Sequence, residues 1–251
     1  MNQFSERFDD GMQGAPEARP PMLIAADIFG VLVGLDTRTW RARLADIGGL
    51  TQDEFMTQWR ASGLGEAWDS GILTLEHFAA KLSDLLAAPH LTPQAVSALW
   101  FEAVGSVDRT LGPIAARLSR EQQLILASNN NPAHWPIVER LLADSGISPD
   151  TPAVLSHQVG ASKPDHRFYA ALAQATEGRD VVFIDDRLSN VEAAADFGIN
   201  AFHHTDPALT AAMLTELLGL TGLASHPGGT RPATLSHHTA GSNRPTSAAE
   251  N

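Results

Sequence analysis

Five short apolar runs punctuate the chain: Met22–Asp27, Gln123–Ser128, Ala153–Ser156, Val181–Asp185 and Ile199–His203. Two of them, Leu124-Ile125-Leu126-Ala127 and Val181-Val182-Phe183-Ile184, show no polar alternation. A strand that faces water on one side alternates, whereas a strand buried on both faces does not. These runs therefore predict strands of a parallel sheet covered on both sides. Segments between them, such as His166–Ala175 and Asn190–Phe197, carry apolar residues at helical spacing. Strands alternating with helices predict an α/β fold with a Rossmann-like parallel sheet and right-handed crossovers.

One connection is too long for a simple crossover. Between the first and second runs lie four more helical patterns, Thr37–Ala45, Gln52–Ala61, Leu75–Leu86 and Pro93–Val104. Thr51, Thr74 and Thr92 stand where helix N-caps belong, and Pro93 takes a first-turn position behind Thr92. A structureless loop of such length is uncommon. Residues 35–108 are therefore expected to form an inserted α-helical cap subdomain, with the core in residues 21–34 and 109–222. Residues 1–20 are polar, contain Pro16 and Pro20, and read as a flexible N-terminal arm. Residues 223–251 are rich in Ser, Thr, Gly, Pro and His. They offer too little apolar surface to offset their ordering entropy and read as a disordered tail. His226, His237 and His238 in that tail are read as solvated rather than as metal ligands.

Composition narrows the chemistry. The 251 residues carry a formal net charge of −12, which argues against a nucleic-acid binder or a ligand of anionic membranes, since both need a basic face. The chain has no cysteine, which excludes thiolate nucleophiles, disulfides and cysteine zinc sites. The apolar stretch from Met22 to Val33 is interrupted by Asp27, and the N-terminal residues lack the basic start and apolar middle of a signal peptide. The expected compartment is the cytoplasm.

In open parallel sheets, ligands bind beyond the carboxyl ends of the strands. The first run ends in Asp27, with Gly30 free to turn the backbone behind it. The second ends in Ser128-Asn129, a hydroxyl and successive backbone N–H groups that suit an anion. The third is followed by Ser162-Lys163-Pro164-Asp165, in which Ser162 is expected to cap a helix with Pro164 in its first turn, fixing where Lys163 emerges. The fourth ends in Asp185-Asp186, with Asn190 a turn later, and two adjacent acids suit a hard cation. Taken singly, Asp27 could cap a turn, Ser128-Asn129 could be an ordinary loop pair, Lys163 a solvated lysine, and Asp185-Asp186 a helix cap. Their order, each beyond a separate strand, favours a shared site.

That ordered set resembles the haloacid dehalogenase superfamily over about residues 22–205. Asp27 matches the family nucleophile, Ser128 the hydroxyl of the second motif, Lys163 the third, and Asp186 with Asp185 and Asn190 the metal-binding fourth. Phe183-Ile184-Asp185-Asp186 and Asn190-Val191-Glu192-Ala193-Ala194 look much like the sugar-phosphate-phosphatase branch, and Trp68-Asp69-Ser70-Gly71-Ile72 resembles a segment of its helical cap. The resemblance implies a Mg2+-dependent phosphatase acting on a small phosphorylated metabolite, a sugar phosphate by the resemblance to that branch, through an aspartyl-phosphate on Asp27. It implies Mg2+ held by Asp27, Asp186, Asp185 and the Phe29 carbonyl, and a phosphoryl group held by Ser128, the Asn129 N–H and Lys163. Asn190 is expected to hold Lys163 or Asp186 in place.

The sequence departs from the family at Phe29, where phosphatases carry a second Asp as general acid and base. Two alternatives follow. A 2-haloacid dehalogenase needs no proton for its halide and no metal, and Gln58-Trp59-Arg60 weakly resembles its carboxylate-binding segment. The Asp185-Asp186 pair opposes that reading, because without a cation it would only repel Asp27. A catalytically weak binding protein would need none of Asp27, Ser128, Lys163 and Asp186. Specificity is expected in the cap, where Trp59, Arg60, Glu66 and Trp68 are candidates.

Overall fold

The computed structural model describes residues 21–219. The expected N-terminal arm, the C-terminal tail with its three histidines and the last few residues of the expected core lie outside that range. In chain order the elements are β1 Leu23–Ala26, β2 Val33–Leu35, α1 Thr37–Ile47, α2 Gln52–Ser62, α3 Leu64–Asp69, α4 Leu75–Leu85, α5 Pro93–Ala103, β3 Val104–Val107, α6 Leu111–Arg120, β4 Leu124–Ser128, α7 Trp135–Asp144, β5 Ala153–Leu155, α8 Ser156–Val159, α9 His166–Ala175, β6 Val181–Asp185, α10 Leu188–Asp196, β7 Asn200–His203 and α11 Pro207–Leu218.

Five strands pair in parallel in the order β5-β4-β1-β6-β7. The chain fills one side of β1 with β4 and β5, then returns to its other side with β6 and β7. This reversal puts the carboxyl end of β1 at the switch point, where a crevice opens in such sheets. Register fixes the neighbours there, because Ala26 pairs with Leu126 on one side and Ile184 on the other.

Both faces of the sheet are dry, as the unalternating runs require. Ile24, Leu124, Leu126 and Ile184 pack on Leu111, Ile114 and Leu118 of α6 and Leu214 of α11. On the opposite face Ala25, Ile125 and Phe183 meet Phe168, Tyr169 and Leu172 of α9.

Helices α1 to α5 form the inserted helical cap and bury their own centre, built on Leu44, Phe55, Trp68, Phe78 and Leu82. Thr51, Thr74 and Thr92 cap α2, α4 and α5, each accepting a first-turn N–H, and Thr51 with Glu54 completes a reciprocal capping box. The strands β2 and β3 pair antiparallel at the two ends of the insert. Their close pairing favours glycine, because a Cβ on Gly105 would stand a tight 3.2 Å from the Gly34 carbonyl oxygen. Val104, expected at the end of a helix, instead begins β3.

The expected helix start at Ser162 is corrected. Helix α9 begins at His166, and its cap is Asp165, whose carboxylate accepts the Arg167 N–H at 2.8 Å. The physical reason is Pro164: its ring disfavours helical dihedrals at Lys163, so no helix can run through that residue. Ser162 Oγ is buried and has no hydrogen-bond partner among the described residues. No helix among the described residues is long and apolar enough to cross a membrane.

Candidate active site

The carboxyl ends of β1, β4 and β6 bring the sequence-predicted residues to one crevice. Asp27 follows β1 directly and is buried. Its Oδ1 accepts the N–H of Ile28 at 2.7 Å and lies 3.0 Å from the Lys163 ammonium. Lys163 is itself buried, and its Nζ also donates to Asp185 Oδ2 at 2.6 Å and to the Ala127 carbonyl at 2.7 Å. Three acceptors for three ammonium protons hold the lysine in one place.

Asp185 is the centre of this network. Besides Lys163 it takes the Arg187 N–H and the Asn190 side-chain amide on Oδ1, each at 2.9 Å. The expectation that Asn190 would hold Lys163 or Asp186 is thereby corrected. A residue five positions on, one turn into α10, reaches back to the strand's last carboxylate. The Asn190 carbonyl oxygen then accepts the Tyr169 hydroxyl at 2.7 Å, which ties α10 to α9.

Asp186 points from the loop after β6 toward Gly30. A Cβ on Gly30 would meet Asp186 Oδ2 at 2.4 Å, so only glycine leaves space for that carboxylate. Asp27, Asp185 and Asp186 each offer an oxygen within 4.8 Å of the others. Against these three acids Lys163 brings one positive charge. Burial pushes the pKa of Asp27 up to about 7; Lys163 opposes the rise, and Asp185 and Asp186 add to it. A cluster of hard oxygen donors that lacks positive charge fits a divalent cation such as Mg2+.

Ser128 ends β4 and is fully buried. Its hydroxyl makes one long bond, 3.4 Å to the Asn129 carbonyl, which leaves it free to turn toward a ligand. The Asn129 side chain has a role that sequence reasoning missed. Its Oδ1 accepts the Lys163 N–H at 2.8 Å and its Nδ2 donates to the Lys163 carbonyl at 3.0 Å. This two-point clamp fixes the backbone that carries the buried ammonium. An asparagine beside a serine gives no signal of it in the sequence.

Phe29 occupies the position two residues after Asp27. Its ring meets Trp100 of the cap edge to face, with centroids 5.2 Å apart. It carries no ionisable group toward the crevice. Asp69, at the end of α3 in the segment that resembles a family cap, and His134, before α7 and unmarked in the sequence, are also titratable groups near the crevice. Burial pushes the Asp69 carboxyl up to about 7 and the His134 imidazole down to about 4.

Comparison with known proteins agrees with this geometry. The family model for haloacid dehalogenase-like hydrolases matches residues 21–198. A D-ribitol-5-phosphate phosphatase from Bacteroides thetaiotaomicron is 22% identical over 201 residues, spanning 78% of this chain and 97% of that enzyme. A haloacid dehalogenase family enzyme from the same organism, solved in complex with magnesium and inorganic phosphate, superposes with a TM-score of 0.61 at 20% identity, over 73% of this chain and 93% of the other. A predicted HAD-like family hydrolase from Porphyromonas gingivalis gives a TM-score of 0.65 at 24% identity, over 76% of this chain and 97% of the other. The family match extends from β1 through α10 and so takes in every residue of the crevice, and the chain belongs to the haloacid dehalogenase-like hydrolase family.

Proposed function

We propose that the protein is a Mg2+-dependent phosphatase that hydrolyses a small phosphorylated metabolite through an aspartyl-phosphate on Asp27. The observation that carries this reading is the cluster of Asp27, Asp185 and Asp186 around a single lysine. A metal-free dehalogenase site has no use for three crowded carboxylates, which repel one another and raise the pKa of the nucleophile. The relatives support it too, one acting on D-ribitol 5-phosphate and another binding magnesium and phosphate.

Asp27, Asp186 and the Phe29 carbonyl would hold the cation. Asp185, already committed to Lys163, Asn190 and the Arg187 N–H, would act by positioning. A bound Mg2+ would offset the negative charge of carboxylates and phosphate, and so allow one anion to approach another.

A carboxylate oxygen of Asp27 attacks phosphorus, and the ester P–O bond breaks with its electron pair leaving on the alcohol oxygen. The Ser128 hydroxyl, with the Asn129 N–H, holds the phosphoryl oxygens as charge shifts among them, and the Lys163 ammonium offsets that charge from its place beside Asp27. Water then attacks the phosphorus of the aspartyl-phosphate, releases inorganic phosphate and returns Asp27 to a carboxylate. Phe29 has no proton to give, so the leaving oxygen takes one from solvent.

The test is a panel of phosphate monoesters and 2-haloacids, incubated with Mg2+ and scored for phosphate and halide. Phosphate release from at least one ester class is expected. Halide release with no phosphate release would replace this reading with the dehalogenase one.

A further inference from the structure

The cap helices, with Leu35 and His134, line a partly open cavity of about 170 Å3. Its walls are aromatic, formed by Trp40, Trp59, Trp68, Phe78 and Trp100. Trp100 is shared with the crevice, since its ring also meets that of Phe29, two residues from Asp27. The cap is tied down beside the cavity by Ser156, whose hydroxyl accepts the Asn130 N–H at 2.9 Å and donates to the Asp69 carbonyl.

Three polar residues line this aromatic space, Thr37, Asp69 and His134. The tautomer of His134 follows from its partners. Asn131 Oδ1 accepts the His134 backbone N–H at 3.0 Å, so Asn131 Nδ2 donates to His134 Nδ1, also at 3.0 Å. The imidazole proton therefore sits on Nε2, which is buried and has no partner among the described residues. The ring lies flat on Trp100, with centroids 4.0 Å apart.

We propose that this cavity receives the leaving group, and that the substrate is a phosphate monoester of a single-ring aromatic alcohol rather than of a polyol. The inference rests on the phosphatase reading above. Size supports it, because an apolar cavity of roughly 150 Å3 is enough to hold benzene. Chemistry of the wall supports it, because a polyol would bury several hydroxyls in a wall that is mostly indole and phenyl, with Thr37, Asp69 and His134 the polar side chains beside those rings.

The missing acid at Phe29 points the same way. A phenol has a pKa of about 10, like that of tyrosine, so phenolate carries off the electron pair of the broken P–O bond without a donor. An alkoxide, whose conjugate acid is nearly as weak as water, leaves more slowly and draws its proton from solvent.

The experiment compares KM values in Mg2+ for benzyl, ethyl and ribose 5-phosphates. Benzyl and ethyl alcohols are leaving groups of similar basicity, so their comparison isolates the ring. Burying one ring is expected to lower KM at least about tenfold for the benzyl ester relative to the other two. Phenol is expected to quench tryptophan fluorescence saturably, and Val96→Phe, which fills the cavity, to abolish both effects. Should that variant fail to fold, the wild-type panel decides alone. Phosphate release with equal KM for benzyl and ethyl esters, or a lower KM for the sugar ester, would overturn the inference and leave the phosphatase reading standing. No phosphate release from any ester would overturn that reading and the inference with it.

Discussion

Gly30 and Asp186 exclude one another's alternatives: a Cβ at the first would sit 2.4 Å from a carboxylate oxygen of the second. Gly30 also has φ of +85°, a conformation that side chains disfavour. Gly30→Ala must either push Asp186 aside or strain the turn. The strain costs about 1–3 kcal/mol, which lowers Tm by several degrees in a chain of this size. The Mg2+ concentration for half-maximal activity is expected to rise more than about tenfold, a factor worth 1.4 kcal/mol. A Mg2+ activation curve on the variant checks this, and an unchanged midpoint would remove Asp186 from the cation site.

Asp27→Asn is expected to leave the fold intact and reduce turnover by at least a thousandfold. The amide oxygen can still accept from Ile28 N–H and Lys163, so the local bonds survive. What is lost is the nucleophile, worth about that factor in covalent catalysis. Thermal unfolding and phosphate release measured side by side separate the two effects. A variant retaining more than a tenth of wild-type turnover would show that Asp27 forms no covalent intermediate.

Asn190→Ala removes one of the two donors to Asp185 Oδ1. The buried carboxylate then leans harder on Lys163 and draws it from Asp27. Loss of a hydrogen bond to a buried charge costs about 1.5–3 kcal/mol of stability. The kcat is expected to fall about tenfold with little change in KM. A normal kcat with a lowered Tm would mean that Asn190 serves the fold alone.

The strands were legible in sequence because burial on both faces removes alternation, and Leu124–Ala127 and Val181–Ile184 advertise it directly. The cap helices α2, α4 and α5 were legible because Thr51, Thr74 and Thr92 mark where they start. The pair β2 and β3 was not: Val33-Gly34-Leu35 and Val104-Gly105-Ser106-Val107 are too short and too rich in glycine to carry a strand period. Asp27, Ser128, Lys163 and Asp186 could be proposed from position alone, each ending or following an apolar run. Their connections could not. The Asn129 clamp and the Asn190–Asp185 bond depend on loops meeting across the crevice, and the aromatic cavity on α1, α2, α3, α4 and α5 converging. Linear spacing records none of that.

His134 gives a pH dependence of stability with a definite sign. Burial pushes its folded pKa down to about 4, from an ordinary 6.5. Between those values the unfolded chain binds a proton that the folded chain refuses, so unfolding is favoured as pH falls. Stability is full above pH 6.5 and declines toward pH 4, by on the order of 3 kcal/mol. Asp27 and Asp69, pushed up to about 7, act in the opposite direction over pH 4 to 7 and together outweigh the trend. The comparison must therefore be with His134→Gln, which removes the imidazole alone. Between pH 7 and 4.5 the Tm of the wild type should fall relative to that of the variant, and a constant difference between them would contradict a buried neutral imidazole.

The central claim is that the three acids act through a divalent cation in releasing phosphate. It is tested by measuring phosphate release from an ester the enzyme hydrolyses, after exhaustive chelation and again after Mg2+ is restored. The account predicts loss of at least nine-tenths of the activity in EDTA, by the roughly tenfold or greater effect of charge stabilisation, and recovery on add-back. Undiminished phosphate release in EDTA would contradict it.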